Sequence, residues 1–143
     1  MPNYKIDEII ELAKKARELS YSPYSNFKVG AVVITKDGYY LGSNIENASY
    51  PLSMCAERNA LYNAYMHECK KDDLLALAVI ADTEEVCSPC GACRQVISEL
   101  FPKDAPIYLA NLKGKLLKTN IEELLPLAFN KDDLKWNLDL SQF

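Results

Sequence analysis

The chain has 143 residues, 49% of them apolar and 25% charged. That is the make-up of one globular domain with a core large enough to fold without disulfides. Sixteen basic against 20 acidic residues give a net charge of −4, which argues against a protein that grips nucleic acid through a basic face. No apolar run of about 18 residues is present, so no membrane-spanning helix is expected. The opening MPNYKIDEII lacks the basic-then-apolar order of a signal peptide, so the expected address is the cytoplasm.

Along the chain, Asn3 offers an N-cap, with Asp7 and Glu8 in the turns where a helix favours negative charge. Ile6, Ile9, Ile10, Ala13 and Ala16 recur at helical spacing, so residues 4–19 read as an amphipathic helix. YSPYSN is a loop by its Ser, Pro and Asn content. Two β-rich runs then flank Lys36-Asp37-Gly38, and Asp-Gly predicts a hairpin. Residues 53–68 read as a helix with Ser53 as N-cap. LLALAVIAD, at 74–82, suits a strand covered on both faces. Ser88 followed by Pro89 predicts a capped helix over 89–100. A strand at 106–111 can pair with one at 115–119 across Lys113-Gly114, and a short helix near 120–128 precedes a polar tail from residue 130. The order α-β-β-α-β-α-β-β-α indicates an α/β domain in which helices cover a sheet. Strand order is not readable from it.

Five cysteines, Cys55, Cys69, Cys87, Cys90 and Cys93, are an odd set. A reducing cytosol favours metal binding or catalysis over disulfides. Cys69, at the end of a helical stretch, reads as a packing thiol. Cys90 and Cys93 are three apart, so on a helix they share a face, with a rise of about 4.5 Å that lets both reach one ion. Cys55 from another helix would be a third ligand. Three thiolates leave a tetrahedral zinc with one open position, the catalytic arrangement rather than the closed structural one. Both segments fall at helix starts, where unpaired N–H groups and the helix dipole stabilise thiolates. Three thiolates and one Zn²⁺ sum to a net negative charge, and Arg58 and Arg94 are the candidates to offset it. Alone, Glu57 would read as a solvated helix carboxylate. Two residues after Cys55 at a helix start, it suits a proton carrier that stands beside the metal without binding it.

These residues match the zinc-dependent deaminase signature, in which a ligand-x-Glu segment precedes Pro-Cys-x-x-Cys. Here the first ligand is Cys55 rather than His, the all-cysteine variant. NFKVGAVV at 26–33, NIENASYPLSMCAER at 44–58 and SPCGACRQVI at 88–97 closely resemble the small homotetrameric cytidine deaminases. The likeness extends to about Phe129.

The resemblance implies a single three-layer α/β domain over residues 1–143, with a mixed sheet of about five strands and a tail at 130–143. It implies one zinc per chain on Cys55, Cys90 and Cys93, with Glu57 shuttling protons and Arg58 neutralising the thiolates. Asn44 and Glu46 would bind the ribose hydroxyls, Ala56 would offer a backbone N–H to the base carbonyl, and Phe27 would pack against the base. Ser88 would offer its carbonyl to the departing amino group. Ala48 and Tyr50 match loop positions touching the 5′ end of a nucleoside in an adjacent site, and Phe129 would stack on the base in a neighbouring subunit. The reaction implied is hydrolysis of cytidine or 2′-deoxycytidine to the uracil nucleoside and ammonia, in pyrimidine salvage, by a homotetramer with shared sites.

Phe27 also reads as core, and Asn44 and Glu46 as polar residues at a hairpin end. Phe129 could simply pack. His67, the only histidine, lies too far along its helix to be a ligand, and Cys87 reads as a loop or packing residue. Two other functions compete. A deaminase of blasticidin type would share the metal and Glu57 but not the sugar pocket. A non-enzymatic four-cysteine zinc or iron–sulfur centre would recruit Cys87 and leave no open position.

Overall fold

The computed structural model describes residues 4–134 and Ser141. Its elements in chain order are α1 (Ile6–Arg17), β1 (Val29–Thr35), β2 (Gly38–Ser43), α2 (Ala56–Met66), β3 (Leu74–Ala81), α3 (Gly91–Leu100), β4 (Ile107–Asn111), β5 (Leu116–Thr119), α4 (Ile121–Leu124) and α5 (Lys131–Leu134). Short 3₁₀ turns occupy Tyr50–Leu52 and Lys71–Asp73. The five strands form one mixed sheet in the order β2-β1-β3-β4-β5. Only β3 and β4 run parallel, with α3 as the crossover between them; the other neighbours are antiparallel.

Strict alternation along the strands produces the three layers. Val29, Ala31, Val33, Leu77, Val79, Ala81, Ile107 and Leu109 face one way, against Ala56, Ala60, Leu61 and Ala64 of α2 and Ile97 of α3. Val32, Ile34, Ala76, Ala78, Ile80, Tyr108 and Ala110 face the other way, against Ile9 and Ala13 of α1. The two sets interleave residue by residue, as the period of two requires. The unbroken apolar run of β3 thus has a helix on each side, as its sequence predicts. Gly30 lets α1 sit directly on β1: a Cβ there would lie 2.0 Å from the Ala13 carbonyl oxygen.

Both helices that lead to the cysteines start later than the sequence suggests. The N-cap of α2 is Cys55, not Ser53, because Met54 is held in an extended bridge with Ile45. Ser53 instead ends the preceding 3₁₀ turn and accepts the Asn47 N–H at 3.1 Å. The N-cap of α3 is Cys90, not Ser88. The chain before it, 86–89, takes no helical turn and is tied by the Cys87 N–H to the Ala110 carbonyl at 3.1 Å. For α1 the N-cap position falls at Lys5, without a side-chain cap; Asn3 lies outside the described residues. In the β1–β2 hairpin, Thr35 pairs with Gly38, so the loop is Lys36-Asp37. Gly38 takes no left-handed φ; the Thr35 hydroxyl holds the turn through the Asp37 N–H and the Gly38 carbonyl. The β4–β5 turn does use a left-handed glycine, Gly114, at φ +93°. The helix expected near 120–128 is the single turn α4, capped by the Asn120 side chain on the Glu123 N–H.

Candidate active site

The later helix starts place two thiols at N-cap positions. Cys55 sits immediately before α2 and Cys90 immediately before α3, with Cys93 in the first turn of α3. The three sulfurs lie within 4.8 Å of one another, and Cys55 Sγ to Cys90 Sγ is 3.8 Å. Zinc–sulfur bonds of about 2.3 Å in a tetrahedron put sulfurs roughly 3.8 Å apart, so the spacing fits one zinc. Among the described residues this is the one group of three or more His, Cys, Asp or Glu so arranged. Cys87 is not in it, which leaves the four-cysteine alternative without its fourth ligand. Cys69 packs against the core, as expected.

The electrostatics favour a thiolate at Cys55. The hydrogen bond from Cys93 lowers Cys55 to about 5 against the opposing effect of burial, and the Arg58 guanidinium and Cys90 add to it. Cys93, the donor in that pair and itself buried, is raised. Three thiols this close share their protons unevenly until a cation replaces them. Arg58 Nη2 reaches Cys55 Sγ at 3.5 Å, and the Cys55 hydrogen bond in turn strengthens the guanidinium's hold on its proton. Arg58 Nε is buried without a hydrogen-bond partner among the described residues. Arg94, the other candidate for charge compensation, points elsewhere: its three nitrogens donate to Pro89, Leu124 and Ser88.

Glu57 is 4% exposed, and burial raises its carboxyl group above the usual range. It lines a cavity of about 390 Å³ together with Cys55, Ala56, Ser88 and Cys90. Phe27, Asn44, Glu46 and Tyr50 line the same cavity, as do Ser25, Val29, Ser53 and Met54. Cys87 also contributes to the wall, and burial pushes its thiol up to about 12, so it stays protonated. The lining therefore combines sulfur and carboxylate with aromatic, apolar and polar groups. Ala56, first residue of α2, has an N–H with no partner within its helix.

Two of the polar groups are held by bonds the sequence did not reveal. Glu46 Oε1 accepts the N–H groups of Tyr24 and Ser25 at 3.0 and 3.1 Å, and Oε2 accepts from the Tyr50 hydroxyl at 3.5 Å. The Ser25 hydroxyl leads, and these N–H groups follow, in holding this carboxyl below the usual range. Asn44 Oδ1 accepts the Val29 N–H at 2.8 Å and Nδ2 donates to the Phe27 carbonyl at 2.7 Å. Asn44 thus fixes the strand entry that presents Phe27. The YSPYSN loop carried no pattern that identified Tyr24 and Ser25 as donors.

Ala48 and Phe129 are not part of this cavity. Ala48 lies in an exposed bend. Phe129 is 55% exposed, with its carbonyl bound by Gln95 Nε2 at 2.9 Å. His67 caps the far end of α2, stacked on Tyr40 with ring centroids 4.8 Å apart.

A family model described as the cytidine and deoxycytidylate deaminase zinc-binding region matches residues 3–109. A cytidine deaminase of Halalkalibacterium halodurans is 50% identical over 127 residues, 88% of this chain and 95% of the relative. The crystal structure of a cytidine deaminase from Burkholderia pseudomallei superposes with a TM-score of 0.86 at 46% identity, covering 88% of this chain and all of that one (100%). A blasticidin-S deaminase of Bacillus cereus is 32% identical over 132 residues, 87% of this chain and 92% of the relative. Cysteine spacing, fold and overall sequence agree: this chain belongs to the cytidine and deoxycytidylate deaminase family of zinc enzymes.

Proposed function

We propose that the protein hydrolyses cytidine or 2′-deoxycytidine to the corresponding uracil nucleoside and ammonia, with Cys55, Cys90 and Cys93 holding one zinc. The observation that carries this reading is the convergence of three sulfurs, two of them, on Cys55 and Cys90, lining the same cavity as a buried glutamate. The higher identity to the cytidine deaminase than to the blasticidin-S deaminase favours a plain nucleoside.

When bound, zinc supplies a Lewis acid that lowers the pKa of a coordinated water to about 7. Glu57 takes a proton from the attacking water and delivers it to N3 of the base as C4 is attacked. It then takes the proton of the new C4 hydroxyl and carries it to the C4 amino group; the C4 carbonyl forms as the C4–N bond breaks, and ammonia leaves past the Ser88 carbonyl. Burial makes Glu57 suited to this, because it favours the protonated form that must donate. Arg58 offsets the thiolate charge. Glu46 and Asn44 bind the ribose hydroxyls, the Ala56 N–H takes the base carbonyl, and Phe27 packs on the ring.

Phe129, exposed and away from its own cavity, stacks on the base in a neighbouring subunit of a homotetramer, with Ala48 and Tyr50 reaching an adjacent site from a loop on which Tyr50 also lines this chain's own cavity. The unit is one domain with residues 130–143 as a tail. It works in the cytoplasm, in pyrimidine salvage. No helix among the described residues is long and apolar enough to cross a membrane.

The test is incubation with cytidine, deoxycytidine and blasticidin S, following ultraviolet loss and ammonia release with and without a chelator. Chelator-sensitive turnover of the nucleosides is expected. Turnover of blasticidin S alone, or of none, overturns the substrate assignment. Sedimentation at assay concentration should show a tetramer; an active monomer would remove the shared site.

A further inference from the structure

The helix that carries Cys93 carries a clamp immediately after it. The Arg94 guanidinium turns back past the start of α3. Nε donates to the Pro89 carbonyl at 2.8 Å and Nη2 to Ser88 Oγ at 2.7 Å. Nη1 donates to the Leu124 carbonyl at 2.7 Å. Ser88 and Pro89 are the two residues that lead into Cys90, and Ser88 is part of the cavity wall. Leu124 ends α4, where a carbonyl has no partner within its own helix. Three acceptors from two distant segments therefore converge on one planar group. A guanidinium presents its donors in a fixed fork, whereas a lysine ammonium is a point charge on a flexible stem. Gln95, the next residue, binds the Phe129 carbonyl. The segment 124–129 is thus attached to the cysteine helix at two points.

We propose that Arg94 is a positioning residue, clamping the Ser88-Pro89 approach to Cys90 against the end of α4 so that zinc retention and the path of residues 124–129 are set together. This rests on zinc being held by Cys55, Cys90 and Cys93. The clamp acts through the backbone leading to Cys90. Partners that orient metal ligands are commonly worth 10–100-fold in metal affinity.

The experiment compares the zinc-loaded full chain with Arg94→Lys, Arg94→Gln and Ile97→Val. The last thins the buried core on the same helix without touching the guanidinium. Transfer of zinc to a chromogenic chelator is timed well below the unfolding temperature, and kcat and KM are measured with and without excess zinc. Both Arg94 variants should release zinc about tenfold faster or more. Ile97→Val should release it at the parent rate. Excess zinc should bring kcat of the Arg94 variants back towards the parent value, which a general loss of structure would not allow. Parental release rates in both Arg94 variants overturn the clamp, as does equal acceleration by Ile97→Val. A parent chain that holds no zinc defeats the three-cysteine reading itself, and the clamp falls with it.

Discussion

Gly42 of β2 passes directly beneath Ala60 of α2: a Cβ on the glycine would lie 2.2 Å from the Ala60 nitrogen and 2.4 Å from the Ala56 carbonyl oxygen. Both neighbours are helix backbone, which cannot turn aside as a side chain can. The missing side chain therefore sets how close α2 lies to the sheet, and hence where Cys55 and Glu57 stand. Gly42→Ala is expected to push α2 outward, cost about 1–3 kcal/mol as overpacking does, and weaken zinc binding. Thermal unfolding and metal content of the purified variant check it. Parental values for both would show that α2 has room to spare.

Glu57→Gln keeps the size of the side chain and removes the proton it can carry. Turnover should fall by about 10²–10⁴-fold, with one zinc per chain still bound, since the carboxylate is not among the sulfur ligands. Steady-state kinetics beside elemental analysis separates the two effects. Near-normal turnover removes the proton-shuttle assignment.

Cys87 and Cys90 test the composition of the metal site. Cys87→Ala should leave one colourless zinc per chain, because Cys87 lies outside the three-sulfur group and its thiol stays protonated. Cys90→Ala should abolish both stable zinc binding and activity. Zinc loss on Cys87→Ala would restore the four-cysteine alternative.

Glu46 makes stability depend on acid. The Ser25 hydroxyl, followed by the Ser25 and Tyr24 N–H groups, holds its carboxyl below the usual range. A carboxylate depressed in the folded state stabilises the fold above its unfolded pKa of about 4.3 and loses that contribution as pH falls through the folded value. Thermal unfolding of the parent should therefore approach that of Glu46→Gln as pH is lowered through this window, and exceed it at pH 7. A gap that does not change with pH would show that the charge is not what these donors hold.

The chain's own order of residues determined much of this. The unbroken apolar run of β3 required a strand with two buried faces, because side chains on a strand point to opposite sides in turn. The ligand-x-Glu and Pro-Cys-x-x-Cys segments determined the chemistry, because two thiols three apart at a helix start can reach one ion. Helix starts at Ser53 and Ser88 were misplaced by two residues. The bridge from Met54 to Ile45 and the bond from Cys87 to Ala110 tie these stretches to backbone outside the helices, and they hold them out of the helix whatever the local capping preference. The division of labour between Arg58 and Arg94 was likewise hidden, since each lies within three residues of a cysteine in sequence. Only the tertiary structure decided that one guanidinium faces sulfur while the other fastens a loop to α4. Periodicity is a local property of the chain and can be read from it. The partner of a long side chain depends on which distant backbone the packed sheet and helices bring within its reach.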